Sequence, residues 1–285
     1  MDAWLVLPVY LIAGALAGLL SGLLGIGGGL VMVPALLVCF SVLGIDAESI
    51  PALALGTSLT TIAITACFSA RAHKKLGNLV DPFSRNMRLL IVSLSIGVLV
   101  GARITTNLSR EHILLAIGSF QFLVAGWMWR RSMFSATFPE EYSLSLSERP
   151  QDMLPPGSTQ AFFGVVGVVS SISGIGGATL MIPYFDRYAI PYVKSAALSS
   201  CFGCVIGVLG FISYGLLDGP TPPIDWSIGY VNLPAVIAMA AGSIHLTSVG
   251  ARLSKKFSGK TLTKVFALFL LLSSAKLLLP IFVFR

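Results

Sequence analysis

The chain has 285 residues, 55% hydrophobic and only 11% charged, with a mean hydropathy of +0.87. A soluble globular domain carries about 25% charged residues, so the composition excludes a soluble fold and points to a polytopic membrane protein. The net charge of +7 would suggest nucleic acid for a soluble protein, but basic loops at a membrane surface account for it here, and no nucleic-acid partner is expected.

Met1-Asp2 offers no basic n-region, so the first helix is expected to be retained. From Ala3 to Ile45, 43 consecutive residues include no Asp, Glu, Lys or Arg. A straight helix of that length would measure about 65 Å, whereas the hydrocarbon core is about 30 Å thick and takes about 20 residues to cross. The run must therefore break, and Gly25-Ile26-Gly27-Gly28-Gly29 is where it breaks, because glycine costs a helix about 1 kcal/mol per residue relative to alanine. A second limb is expected to start just before Pro34, since proline is tolerated in a first turn.

After this first broken segment (4–43) comes an acidic link with Asp46 and Glu48, then an uncharged span from Pro51 to Ala70. A basic loop follows with Arg71, Lys74, Lys75, Arg85 and Arg88. The third span covers 88–108 and ends in Gly101-Ala102-Arg103. The fourth runs from Ile113 to Trp129, where Trp127 and Trp129 suit an interfacial belt. Residues 131–157 are polar and proline-containing and read as a linker. A second broken segment (158–186) holds Gly174-Ile175-Gly176-Gly177-Ala178 closed by Pro183, and spans at 195–217, 228–249 and 262–283 complete the chain.

The halves are repeats offset by 149 residues. Gly18, Ser21, Gly25, Gly27, Gly28, Met32 and Pro34 meet Gly167, Ser170, Gly174, Gly176, Gly177, Met181 and Pro183, and Gly101-Ala102-Arg103 meets Gly250-Ala251-Arg252. A local shift aligns Thr57-Ser58 with Ser199-Ser200. If each broken segment returns to its starting side, one face collects 15 of the 19 Lys and Arg, a strong cytoplasmic bias; if each crosses once, the bias vanishes. The expected architecture is an all-α integral membrane protein of two inverted repeats, 1–130 and 158–285, around a cytoplasmic linker 131–157. Each repeat is a Gly-broken hairpin plus three transmembrane helices, in a cell inner membrane with both termini outside. Charge counting leaves open whether each break is a re-entrant hairpin or two full crossings.

Inverted halves with glycine breaks in corresponding places point to a transporter whose site lies at the repeat interface. Irregular backbone at that depth is tolerated where protein or a water-filled cavity surrounds it. The second limbs begin at the breaks and turn unpaired N–H groups and positive dipole ends inward, a setting for a small anion. The candidate substrate-binding residues are Gly25, Gly27, Gly28, Gly29, Gly174, Gly176 and Gly177, with hydroxyls from Thr57, Ser58, Ser199 and Ser200; Ser21, Ser170 and Ser173 lie about a turn before each break. Glycine and serine also mediate close helix packing, the role expected of Gly14, Gly18 and Gly22. His245 is a candidate proton relay, or a histidine satisfied by Ser243 or a backbone carbonyl. Lys276 can snorkel, and Arg103 and Arg252 read as interfacial anchors or anion gates. Cys201 and Cys204 form a CxxC with no second pair or paired histidines, so zinc is not expected; packing is the plainer reading, with a redox or soft-anion contact as the other. No catalytic residue, metal or cofactor is expected.

The duplicated GxGGG/GxGGA followed by proline, the early Thr57-Ser58 and the Gly-Ala-Arg of 101–103 resemble the sulfite exporter TauE/SafE family. The resemblance covers nearly the whole chain outside 131–157. It implies transport of small sulfur-containing anions such as sulfite, sulfoacetate or another organosulfonate. The chain departs from the family pattern at Ala178 and at Ser199-Ser200, which bears on ligand size. With the cytoplasm negative, each negative charge leaving gains about 2.3 kcal/mol per 100 mV, so export needs no coupling ion. An anion channel and a non-transporting sensor or scaffold remain the alternatives, and the oligomeric state is open.

Overall fold

A computed structural model describes residues 3–24, 28–75, 77, 85–134, 155–188, 190–217, 226–253 and 259–283. The described residues form α1 (Ala3–Leu24), α2 (Gly29–Val42), α3 (Ile50–Lys75), α4 (Arg85–Thr106), α5 (Arg110–Phe134), α6 (Pro156–Ser173), α7 (Ala178–Asp186), α8 (Tyr192–Phe211), α9 (Leu233–Leu253) and α10 (Gly259–Val283). A π-helical stretch, Ile212–Leu217, continues α8, and an antiparallel hairpin of β1 (Ser227–Ile228) and β2 (Val231–Asn232) leads into α9. Among these, α3, α4, α5, α8 and α10 contain stretches long and apolar enough to cross a membrane, with shorter apolar stretches in α1, α2 and α9. This is the all-α membrane architecture expected from hydropathy.

Both apolar runs break where glycine predicts. α6 ends because Gly174 takes a left-handed conformation (φ 69°), and Ile175 N–H turns back to the Ser170 carbonyl at 3.1 Å, a Schellman closure. α7 starts after Gly177, also left-handed (φ 74°), whose carbonyl accepts from Leu180 and Met181 N–H. On the first copy, α1 stops at Leu24 and α2 starts at Gly29; the Gly28 carbonyl accepts from Val31 and Met32 N–H. The limbs start earlier than proline tolerance suggested: Pro34 and Pro183 lie five residues past the first helical residue, in the second turn. Glycine at the break, not proline, sets the start. α2 has 14 residues and α7 nine, about 21 and 14 Å, so neither covers the roughly 30 Å of a hydrocarbon core.

Helices pack in reciprocal pairs. α1 lies along α9 and α4 along α6; α3 lies along α8 and α5 along α10. Of the glycines expected to pack, Gly14 and Gly18 do so, a Cβ on Gly14 falling 2.3 Å from the Met239 carbonyl oxygen. A Cβ on Gly18 would meet the Ser243 carbonyl oxygen at 2.4 Å, and one on Gly167 the Leu94 carbonyl oxygen at 2.3 Å. Gly18 and Gly167 are 149 positions apart, and so are Leu94 and Ser243, so the two contacts are one contact made twice. Such approach needs the absence of a side chain.

α3 is the buried centre, with every residue from Ile50 to Ala63 inside the protein. Its hydroxyls are accommodated by back-bonding: Thr60 donates to the Gly56 carbonyl at 2.7 Å and Thr61 to that of Thr57 at 2.8 Å. α3 and α8 run antiparallel, with Gly210, Gly207 and Gly203 against Leu59, Ala63 and Ala66. The β-hairpin was not foreseen. It docks on Gly56, where a Cβ would sit 2.2 Å from the Tyr230 carbonyl oxygen. α5 also runs on to Phe134, into the stretch read as linker.

Candidate functional site at the paired helix breaks

The two breaks meet. A Cβ on Gly29, the first residue of α2, would lie 2.9 Å from Ile175 Cα and 3.0 Å from the Gly174 carbonyl oxygen. The start of the first short helix is thus packed on the second glycine motif, with no room for a side chain between them. α7 begins three residues beyond Ile175, so the N-terminal ends of both short helices belong to one region. Their first N–H groups have no partner within their own helices.

Around this contact the structure gathers most of the described candidate residues. Ser58 donates to the Gly174 carbonyl at 2.9 Å, tying α3 to the second break. Gly174 also faces Val33 and Leu55, Gly176 faces Ile62, and Gly177 faces Ile206. Gly28 is half-buried, its would-be Cβ 3.1 Å from Met32 Cε and 3.5 Å from the Ala17 carbonyl oxygen. Gly177 repeats that arrangement, with Met181 Cε at 3.2 Å and Val166 at 3.3 Å. Gly176 and Ala178 are half-buried, whereas Gly174, Ile175 and Gly177 are buried. Gly25 and Gly27 lie outside the described residues.

The hydroxyls divide by role. The Thr57 hydroxyl accepts from the Asn232 backbone N–H at 3.0 Å, and Asn232 in turn accepts from Ala235 N–H at 3.0 Å, capping the start of α9. Thr57 therefore holds the β-hairpin. Ser200 bonds to Ser69 across the α3–α8 seam at 2.9 Å and donates to the Ala196 carbonyl at 2.8 Å, away from the breaks. Ser199 is different: it is 3% exposed and its hydroxyl has no hydrogen-bond partner. It shares a face of α8 with Gly203 and Ile206, four and seven residues on. Those residues pack on the Gly176 carbonyl oxygen and on Gly177, so Ser199 belongs to the face turned toward the second break. Ser173 back-bonds to the Val169 carbonyl.

Two further buried hydroxyls without partners, Ser170 and Ser171, sit on the last turn of α6. Ser171 carries no motif and was invisible to sequence reading. A buried hydroxyl left unpaired costs about 1–3 kcal/mol; Ser171 lies against α4, where a Cβ on Gly101 would sit 3.0 Å from its own. His245 is exposed on α9 and its Nδ1 is paired with the Ala241 carbonyl at 2.9 Å, one turn back; it is not among the residues at the breaks. Lys276 is exposed on α10.

Comparison with known proteins agrees with this architecture. The model of the sulfite exporter TauE/SafE family matches residues 10–277. The chain is 34% identical over 272 residues to a probable membrane transporter protein of Haemophilus influenzae, covering 94% of this chain and 97% of that one. It is 28% identical to a probable membrane transporter protein of Methanocaldococcus jannaschii, covering 90% of each. It is 24% identical to YunE, a probable membrane transporter protein of Bacillus subtilis, covering 95% of this chain and 96% of that one. No solved structure matches. A match running from α1 into α10, across both glycine breaks, identifies the chain as a membrane transporter of the sulfite exporter TauE/SafE family.

Proposed function

We propose that this transporter moves small sulfur-containing anions, such as sulfite or sulfoacetate, out of the cell through a central site at the paired breaks. The observation that carries the proposal is Gly29 packed on Gly174 and Ile175, which brings two helix starts to one place. Two N-terminal ends supply positive potential and unused N–H donors, and the orphan Ser199 and Ser170 hydroxyls add uncharged donors. This donor set suits a tetrahedral or pyramidal oxyanion better than a carboxylate alone, because several oxygens can be met at once.

The reciprocal contacts of α1 with α9 and α6 with α4 support two repeats, 1–130 and 158–285, related by a two-fold. The basic-residue count favours the inverted arrangement, with the basic loops cytoplasmic and both termini outside. Short α2 and α7 favour re-entrant hairpins over two full crossings. Alternating access is then the rocking of one repeat against the other around the breaks. The test is flux in proteoliposomes loaded with sulfite, sulfoacetate, taurine or acetate. Saturable flux of the sulfur oxyanions, absent in Gly29→Leu protein that still folds, is expected. Equal flux of acetate, or flux surviving Gly29→Leu, would overturn the assignment.

A further inference from the structure

Three of the four cysteines lie together at one end of the α3–α8 seam. The register is set by Ala66 against Gly203, where a Cβ on the glycine would lie 3.2 Å from that of Ala66, and by the Ser69–Ser200 hydrogen bond. Between antiparallel helices, the residues following a contact pair fall on the same flank. Cys67 follows Ala66 and Cys204 follows Gly203, so the two fall on the same flank of the seam, where their thiols also influence one another electrostatically. Cys201, one turn earlier on α8, lies close enough to interact with both. All three are half-buried free thiols, whereas Cys39 is buried elsewhere, on α2. Among the described residues no group of three His, Cys, Asp or Glu side chains is placed to hold a metal ion. A disulfide joins Cβ atoms about 3.8 Å apart, and the neighbouring position of the seam, where a Cβ on Gly203 would lie 3.2 Å from that of Ala66, is packed to that scale.

We propose that Cys67 and Cys204 form a reversible disulfide that staples α3 to α8 and arrests transport. The reaction is an oxidation by hydrogen peroxide: two thiols lose two protons and two electrons, an S–S bond forms, and the O–O bond breaks to give two waters. The consequence rests on the proposed transport reading. There α3 belongs to the first repeat and α8 to the second, so the bond joins the two bodies that must rock. It also fixes the helices that carry Ser58 on Gly174, Ile62 on Gly176 and Ile206 on Gly177.

The experiment uses the full-length protein, reduced or treated with hydrogen peroxide. Alkylatable thiols are counted by intact mass, linked peptides are mapped, and sulfoacetate flux is followed in liposomes. Sulfite is unsuitable as the flux probe because it cleaves disulfides. Peroxide is expected to lower the alkylatable thiols from four to two and to link Cys67 with Cys204. Flux should fall to about a tenth or less, since rocking is blocked, and dithiothreitol should restore it. Cys67→Ser and Cys204→Ser proteins should keep their flux under peroxide. Four thiols still alkylatable, a Cys201–Cys204 bond instead, or full flux through the linked protein would each overturn the proposal. The thiol count needs no transported solute. Reduced protein that carries no sulfur anion would therefore sink the transport reading, while the mass result judges the staple by itself.

Discussion

Gly28 and Gly177 occupy the same place in the two breaks, each beside a methionine four residues on, yet their backbones differ: φ is −72° at Gly28 and 74° at Gly177. An alanine at 28 is crowded only by the movable end of Met32 at 3.1 Å and meets the Ala17 carbonyl at an ordinary 3.5 Å, so Gly28→Ala should leave thermal unfolding in detergent unchanged. At 177 the left-handed backbone costs a non-glycine residue about 1–2 kcal/mol, and the new Cβ would press on Ile206 Cδ1 at 2.7 Å. Gly177→Ala should therefore lower the melting temperature. Hydroxyls separate in the same way. Ser58→Ala orphans the buried Gly174 carbonyl, at a cost of about 1–3 kcal/mol, and should reduce stability and flux together. Ser199→Ala breaks no hydrogen bond of the protein; it should leave the melting temperature alone and raise KM for the anion. Equal melting shifts for the two variants would remove Ser199 from the site.

At the scale of elements, the spans were legible because hydropathy and glycine act locally, but the one expected from 228 opens as a β-hairpin and turns helical only at Leu233. Charge-free runs located the spans, and α6 stops at the glycine that sequence alone picked out. Sequence pattern could not show the β-hairpin, whose strands are two residues each and are held by Thr57, Gly56 and the Tyr214 carbonyl, to which Tyr230 N–H donates at 2.8 Å. The early Thr-Ser pair looked like one feature; in the fold its two hydroxyls point to different jobs, Thr57 to the hairpin and Ser58 to the break. Helix pairing carries its own prediction. Gly18→Leu and Gly167→Leu each drive a side chain into a carbonyl at nearly the same distance. Their losses in melting temperature should match, whereas Gly126→Leu, with open space around it, should be neutral.

For the whole molecule, the proposed facilitated export carries a prediction of its own, since no ionisable side chain among the described residues has been placed at the breaks. His245, the one histidine considered for proton transfer, is turned outward and bonded to its own helix. Each negative charge moved outward across an inside-negative membrane gains about 2.3 kcal/mol per 100 mV. Efflux of sulfoacetate from liposomes should then accelerate as a potassium-diffusion potential is made more negative inside, with no dependence on a proton gradient. Efflux that follows the proton gradient and ignores the potential would require a relay among groups other than those at the breaks.

Composition and the doubled glycine motif by themselves settled that the chain lives in a membrane, that it is helical, and where its helices break. These follow from burial of apolar length and from the backbone freedom of glycine, both short-range properties written along the chain. Only the tertiary structure decided that the two breaks touch, that Ser58 serves one of them while Ser199 stays unpaired, and that Ala66 lies against Gly203. Those facts depend on which helix lies against which and in what register, and contacts spanning more than a hundred residues leave no periodic trace in a single sequence.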